Sequence, residues 1–382
     1  MEIAGIKAIE TLGSAVGRFP GPSDARTRHG PLRARRERGL VPAINPRFRF
    51  EPGCRVFTIG SCFARNIEEH LIGYDVPTRR FSVPKEEWPH RPNGLLNEYN
   101  PGTIAQRIER ALTGEAAPRE TLVPHKEGFV DLLLPSASYS RPVTQERAVQ
   151  RREEIDAIYR ELPQADIVIV TLGLVEAWFD SLTGSYLNRM PPTDAIREDA
   201  NRFSLHVMDV DEGYPLLAAA LGMLAERGQK ILLTVSPVPL TATFSEQCAV
   251  VANSFSKAVL RVCAHRLEAG LPGVDYFPSY EMVMSRGLST FSDDNVHVQD
   301  AFVHEIVRTM LDSYVVQPEP RQVAARKGSD RRKVPAPRAR IVTKLAFAVL
   351  LLVLLFVGLP ELLGDRPYDP APSAWPSVAH RL

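Results

Sequence analysis

Val56-Phe57-Thr58-Ile59-Gly60-Ser61-Cys62-Phe63-Ala64-Arg65-Asn66-Ile67 turns a strand into a helix within two residues. The apolar, β-branched half reads as a strand buried on both faces. Phe63, Ile67 and Leu71, at i, i+4 and i+8, give the following helix one apolar stripe. Gly60 permits the sharp turn between the two. Such a junction lies at the carboxyl edge of a parallel sheet, where open α/β folds bind ligands. The unpaired N–H groups of the first helical turn point at whatever sits there and suit a developing oxyanion. Cys62 in that turn is a candidate nucleophile, because the positive end of the helix dipole favours a thiolate.

Outward from this junction the same alternation continues. Strands are expected at Arg55–Ile59, Asp166–Leu172, Lys230–Val235 and, more weakly, Val274–Phe277. Tyr214–Arg227 and Phe244–Ala269 are long enough to cross back over a sheet, and Phe302, Val303, Ile306, Met310 and Leu311 mark a last amphipathic helix. The pattern predicts an α/β domain over residues 48–316. Residues 73–165 form a long insertion rich in Pro and aromatics, expected to supply loops, a few helices and part of a pocket.

The chain has 382 residues, 44% hydrophobic and 24% charged, which describes a folded protein with a buried core. Its 46 Lys plus Arg against 45 Asp plus Glu leave a net charge of +1, so no global field holds nucleic acid, and none is expected as a partner. Cys54, Cys62, Cys248 and Cys263 have neither disulfide-framework nor zinc spacing. Dinucleotide, P-loop and zincin motifs are missing, so no metal and no resident cofactor is required.

Residues 1–47 are expected to be a mobile basic and Pro-rich arm carrying Arg26, Arg28, Arg33, Arg35, Arg36 and Arg38: a solvated tail, or a contact for anionic lipid. A basic, Pro-containing linker, 317–344, precedes Leu345–Leu359, which is uncharged and almost wholly apolar. Extended to residue 363, this stretch approaches the ~20 residues of a spanning helix. The lipid bilayer is thus an expected partner through residues 345–363, with 364–382 as a short extracytoplasmic tail. The positive-inside rule places the folded domain on the cytoplasmic side of the cell's inner (plasma) membrane, as a single-pass protein.

A second polar segment, Ser292-Asp293-Asp294-Asn295-Val296-His297, stands before the last helix. Asp294 can hold His297 Nδ1–H and leave Nε2 to face a nucleophile, which would make His297 an oriented general base. Equally, the acids can cap the helix with His297 on its surface. His70, His206, His265 and His304 read as structural or exposed histidines without partners.

The two segments together resemble the GSCFA family, a branch of the SGNH (GDSL-like) hydrolase superfamily. Gly60-Ser61-Cys62-Phe63-Ala64 spells the family's motif, and Thr171-Leu172-Gly173-Leu174-Val175-Glu176-Ala177-Trp178 looks like its second signature. Ser236-Pro237-Val238-Pro239 follows the next strand, and Asp294-Asn295-Val296-His297 falls where the superfamily keeps Asp-x-x-His. The resemblance implies a three-layer αβα, flavodoxin-like domain and ester or acyl-transfer chemistry.

Laid on the superfamily's Gly-Asp-Ser, Gly60 matches the glycine, Ser61 the aspartate position and Cys62 the nucleophilic serine. Ser61 is the alternative nucleophile if the turn is shifted by one residue. In the superfamily's Gly-x-Asn-Asp oxyanion segment, Gly173 is kept but Val175 and Glu176 replace the polar pair. Asn97 and Asn100 are candidates for the missing amide, or simple turn formers. Glu176 is a candidate for binding substrate hydroxyls or holding a neighbour, and Trp178 is read as a core plug, with stacking on a sugar face as the alternative.

The function expected is a membrane-anchored SGNH-type acyltransferase or esterase acting on O-acyl groups, with a small-molecule or saccharide acceptor. The chemistry admits a coenzyme A-linked acyl donor. The alternative is a non-catalytic, membrane-tethered glycan-binding or scaffold protein that keeps the same shell.

Overall fold

The computed structural model describes residues 42, 44–88, 91–136 and 141–316. The expected linker at 317–344, the bilayer span at 345–363, the tail at 364–382 and nearly all of the basic arm lie outside them. Among the described residues no helix is long and apolar enough to cross a membrane. Ile44 and Arg47, read as part of the arm, belong instead to the folded unit: Ile44 packs on the core, and Arg47 N donates to Asp275 Oδ2 at 2.8 Å.

In chain order the first half holds β1 (Val56–Gly60), α1 (Cys62–His70), α2 (Pro101–Thr113), β2 (Leu122–His125), β3 (Gly128–Asp131) and α3 (Gln145–Tyr159). The second holds β4 (Ile167–Leu172), β5 (Glu176–Asp180), β6 (Ser185–Leu187), α4 (Thr193–Glu198), β7 (Phe203–Val207) and α5 (Val210–Glu226). It ends with β8 (Lys230–Val235), α6 (Ala249–Gly270), β9 (Val274–Tyr276), α7 (Ser279–Arg286) and α8 (Asp300–Tyr314).

The central sheet is parallel, in the order β1-β4-β8-β9. Alternation along its strands separates two apolar layers, as the period-two pleat requires. Phe57, Ile59, Val168, Val170, Ile231 and Leu233 face α2, α5 and α6, while Val56, Ile167, Ile169 and Leu232 face α1, α7 and α8. Helices thus cover both faces of the sheet, in three layers.

The flavodoxin-like expectation needs one correction. A fifth strand would lie beside β1, but among the described residues that edge carries only two single bridges, Arg55 to Asp75 and Gly60 to Asn97. The chain between them contains Pro77 and Pro84, which lack the N–H a ladder needs. It is fastened instead by a buried polar knot. Glu68 of α1 pairs with Arg65 at 2.6 Å and accepts from Thr78 at 2.6 Å and Asn93 at 2.7 Å. This knot ties the edge segment to the helix that begins with Cys62.

The second feature absent from the sequence reading is the antiparallel sheet β6-β5-β7, which grows from the loop after β4. It lies at the carboxyl end of the parallel strands and supplies one side of the site.

Candidate active site

Gly60 ends β1 with φ +129°, and a Cβ there would lie 2.1 Å from Thr171 O. Only glycine lets β1 turn this close to β4. Ser61 then caps α1: its Oγ accepts from Phe63 N at 3.3 Å and meets Thr171 Oγ1 at 3.3 Å. The side chain is buried and turned to the sheet end, a working N-cap. Cys62, the first residue of α1, is half-buried and faces the cavity.

That cavity has a volume of about 420 Å³. Ser61, Cys62, Gly173, Glu176, Asn100 and His297 of the sequence-predicted residues line it, so two segments more than 230 residues apart in sequence meet there. The Asp294-Asn295-Val296-His297 turn closes because Asn295 takes φ +55°, a conformation Asn tolerates. Asp294 Oδ1 accepts from Val296 N at 2.9 Å and His297 N at 3.0 Å, and Oδ2 meets His297 Nδ1 at 2.6 Å. The hydrogen bond to the ring, then those to the two backbone N–H groups, hold the Asp294 carboxyl well below the usual carboxylate range. An ionised carboxylate only accepts, so Nδ1 is the donor of this pair and Nε2 is the ring nitrogen it leaves for another partner.

The loop after β4 is held from three sides. Leu174 N donates to Tyr99 O at 2.8 Å, Val175 N donates to Ser256 Oγ at 3.1 Å, and Gly173 O accepts from Lys257 Nζ at 2.6 Å. The Gly173 N–H alone finds no acceptor among the described residues. A Cβ at Gly173 would press on Tyr99 O at 2.6 Å and on Ser61 at 3.2 Å, so a side chain is excluded where the loop meets α1.

Lys257 went unread in the sequence. It sits on α6 at 2% exposure, with Nζ donating also to Val238 O at 2.7 Å. Both its acceptors are neutral carbonyls, and no carboxylate pairs with it among the described residues. Burial pulls its pKa from 10.5 down to about 7, opposed by the Cys62 thiol beside it. The thiolate expected at this helix start is not favoured on balance: burial pushes the Cys62 thiol above its ordinary value and outweighs Lys257, Arg91 and the N–H groups of Cys62 and Phe63, which pull it down. The signal that could have found Lys257 is its place among Ala252, Ser256, Val259, Leu260 and Cys263 on the buried side of an amphipathic helix.

The sequence profile of the GSCFA family matches residues 55–310, about two thirds of the chain and all of the site just described. The chain belongs to the GSCFA family. No curated protein matches it. Among solved structures, a mutant acetyl-xylooligosaccharide esterase from Geobacillus stearothermophilus is 16% identical, covering 70% of this chain and 96% of its own, with a TM-score of 0.29. A catalytic mutant of an acetylxylan esterase from the same organism is likewise 16% identical, covering 71% of this chain and 100% of its own, at 0.28. Superpositions at that level inform neither the substrate nor the mechanism of this chain.

Within the GSCFA framework, several expected residues have structural duties. Asn100 caps α2, accepting from Thr103 N at 2.9 Å and donating to Leu187 O at 3.2 Å. Asn97 is off the cavity wall, and its amide donates to Tyr99 Oη at 3.1 Å. The residue that reaches the cavity is therefore Tyr99, whose own hydroxyl proton has no acceptor among the described residues. Glu176 holds a neighbour: it accepts from Phe244 N at 3.0 Å and from the Thr243 hydroxyl, fastening the loop after β8. Trp178 is no core plug. Half-buried, it lines the cavity edge-on to Phe244, with ring centroids 5.6 Å apart.

His265 is exposed, as expected, but three other histidines read as partnerless have partners. His206 meets Glu212 at 2.6 Å, and His70 lies against His304 with Asp300 at 3.3 Å.

Proposed function

We propose that this chain is an acyl-transfer enzyme that carries its acyl group on Cys62. The observation that carries this reading is the single cavity shared by a helix-opening thiol, an Asp-oriented imidazole and a backbone N–H left unpaired. His297 Nε2 takes the thiol proton as Sγ attacks the acyl carbonyl carbon. The C–S bond forms, the carbonyl π electrons become an oxyanion, and the N–H groups of Cys62 and Gly173 with the Tyr99 hydroxyl are placed to receive it. Collapse breaks the bond to the leaving oxygen, which takes the proton from His297. Deacylation repeats the sequence with water, an esterase, or with an acceptor hydroxyl, a transferase.

Lys257 contributes before the first bond forms. Its ammonium stabilises the thiolate through space and, by holding Gly173 O and Val238 O, fixes the peptide that aims the Gly173 N–H. Ser61 acts as the cap that presents Cys62, and Asp294 as a positioning residue for His297.

The same reading keeps the saccharide or small-molecule O-acyl acceptor and the option of a coenzyme A-linked donor. It also keeps a cytoplasmic-side domain anchored through residues 345–363. A reporter fused after Leu382 is then expected to behave as extracytoplasmic, and cytoplasmic behaviour would reverse the topology.

The chemical test uses p-nitrophenyl acetate with wild type and Asp294→Asn, following p-nitrophenol release and the intact mass. Wild type should give a burst and one acetyl on Cys62. Asp294→Asn should lose about 10²–10⁴ in acylation rate, the range seen where a His loses its orienting carboxylate. Its thermal midpoint should hardly move, since the Asp294–His297 pair is exposed. Wild type without burst or adduct would favour the scaffold alternative.

A further inference from the structure

Arg189 is the second residue after β6, and it lines the cavity that holds Cys62 and His297. Its Nε is buried without a hydrogen-bond partner, and its guanidinium meets no carboxylate within ion-pair distance among the described residues. The nearby acids are already engaged. Asp131 gives both oxygens to Arg152, at 2.6 and 2.7 Å. Glu87 pairs with Arg147 at 2.6 Å and with Arg151 at 3.5 Å. Of the described residues that line the same recesses, Pro135, Ser136 and Arg141 bring no acid. A small second recess, also lined by Arg189, holds Arg141 and Arg151 together with those two acids, Glu87 and Asp131.

A guanidinium keeps its charge at any working pH, and withdrawing it from water costs free energy until an anion meets it. Burial indeed pulls Arg189 below the ordinary arginine value. Its planar fork suits two oxygens of one carboxylate or phosphate. Trp178, Leu187, Met190, Leu205 and Leu240 line the same cavity and give it an apolar share. We infer that Arg189 receives an anionic group, carboxylate or phosphate, on the substrate whose acyl carbon reaches Cys62. The inference rests on the acyl-transfer reading for the position of the acyl carbon, but not for anion binding itself.

Inorganic phosphate and glutarate serve as probes on the full-length chain, with thermal midpoint and the iodoacetamide alkylation rate of Cys62 as readouts. At saturation, at least one anion should raise the wild-type midpoint by roughly 5 °C and slow alkylation several-fold. Both effects should vanish in Arg189→Gln and weaken in Arg189→Lys, which keeps the charge but loses the fork. Without anion, Arg189→Gln should be no less stable than wild type, because an unanswered charge has been removed. A stronger phosphate effect points to a phosphorylated substrate, a stronger glutarate effect to a carboxylated one.

The inference is overturned if neither anion acts on wild type, or if its effect survives in Arg189→Gln. Stabilisation without protection of Cys62 overturns it too, since the anion would then lie outside the thiol's cavity. Should Arg189→Gln fail to melt cooperatively, Arg189→Lys decides, and affinity equal to wild type sinks the idea. The midpoint shift needs no turnover, so loss of anion binding and loss of acyl-enzyme formation are separately visible.

Discussion

Cys62→Ala should abolish alkylation of the cavity thiol and lower acyl transfer by about 10³-fold or more, the scale on which nucleophile deletions act. Ser61→Ala should keep the reaction and lose about 1 kcal/mol of stability, the usual worth of an N-cap side chain. The contrast follows from how the two side chains are engaged. Both residues line the cavity with His297, but Ser61 Oγ is committed to Phe63 N and Thr171 Oγ1, whereas Cys62 is the less buried of the two. Peptide mapping is needed to read the experiment, because Cys248 is exposed and will also alkylate. Cys54 and Cys263 should react slowly, both pushed up to about 11, chiefly by burial. Acyl transfer surviving in Cys62→Ala but lost in Ser61→Ala would move the nucleophile one residue back and end the thioester mechanism.

Much of this arrangement was legible because it is local. Lys230–Val235 is an unbroken apolar strand with a parallel partner on each side, and its bounds in sequence and structure coincide. The Asp294-Asn295-Val296-His297 turn needs only its own four residues to close. Helix starts were less legible. The helix expected from Tyr214 begins at Val210, where Asp209 accepts from Asp211 N and Glu212 N at 2.9 Å, an N-cap residue of the preferred type. The helix expected from Phe244 begins at Ala249, because Glu176, distant in sequence, takes the Phe244 N–H for the loop.

The same distinction explains the site. Cys62, Gly173 and His297 belong to short motifs, so their candidacy shows in the spelling. Tyr99, Lys257 and Arg189 have no motif: each acquires a role only when strands, helix and insertion converge. A lone lysine on a helix reads as solvated until the packing shows which side is buried. The edge beside β1 is comparable, for the prolines that prevent a fifth strand were visible, but the Glu68 knot that replaces it was not.

Lys257→Met should slow iodoacetamide alkylation of Cys62 at neutral pH by at least about tenfold, an opposite charge nearby being worth ~1–3 pH units to a titrating group. The slowing should fade as pH climbs past about 7, where Lys257 gives up its proton and leaves Arg91 and the N–H groups of Cys62 and Phe63 to oppose the burial of the thiol. Lys257→Arg, which restores a cation, should bring the profile toward wild type, a recovery that loss of packing would not give. Stability supplies an independent check. Lys257 titrates at about 7 in the folded chain against 10.5 for the free group, so between those values the unfolded chain binds the extra proton. Wild-type stability should therefore rise with pH from about 7, relative to Lys257→Met, as the buried ammonium is relieved. Cys62 has the opposite sign: its raised folded pKa favours the fold below the ordinary thiol value of 9.0 and loses that contribution as pH climbs past it. The lysine effect should thus be cleanest between pH 7 and 8.5, below the thiol's opposing range. Identical alkylation profiles and identical stability slopes in wild type and Lys257→Met would reduce Lys257 to a tether for Gly173 and Val238, and would leave His297 to ionise the thiol unaided.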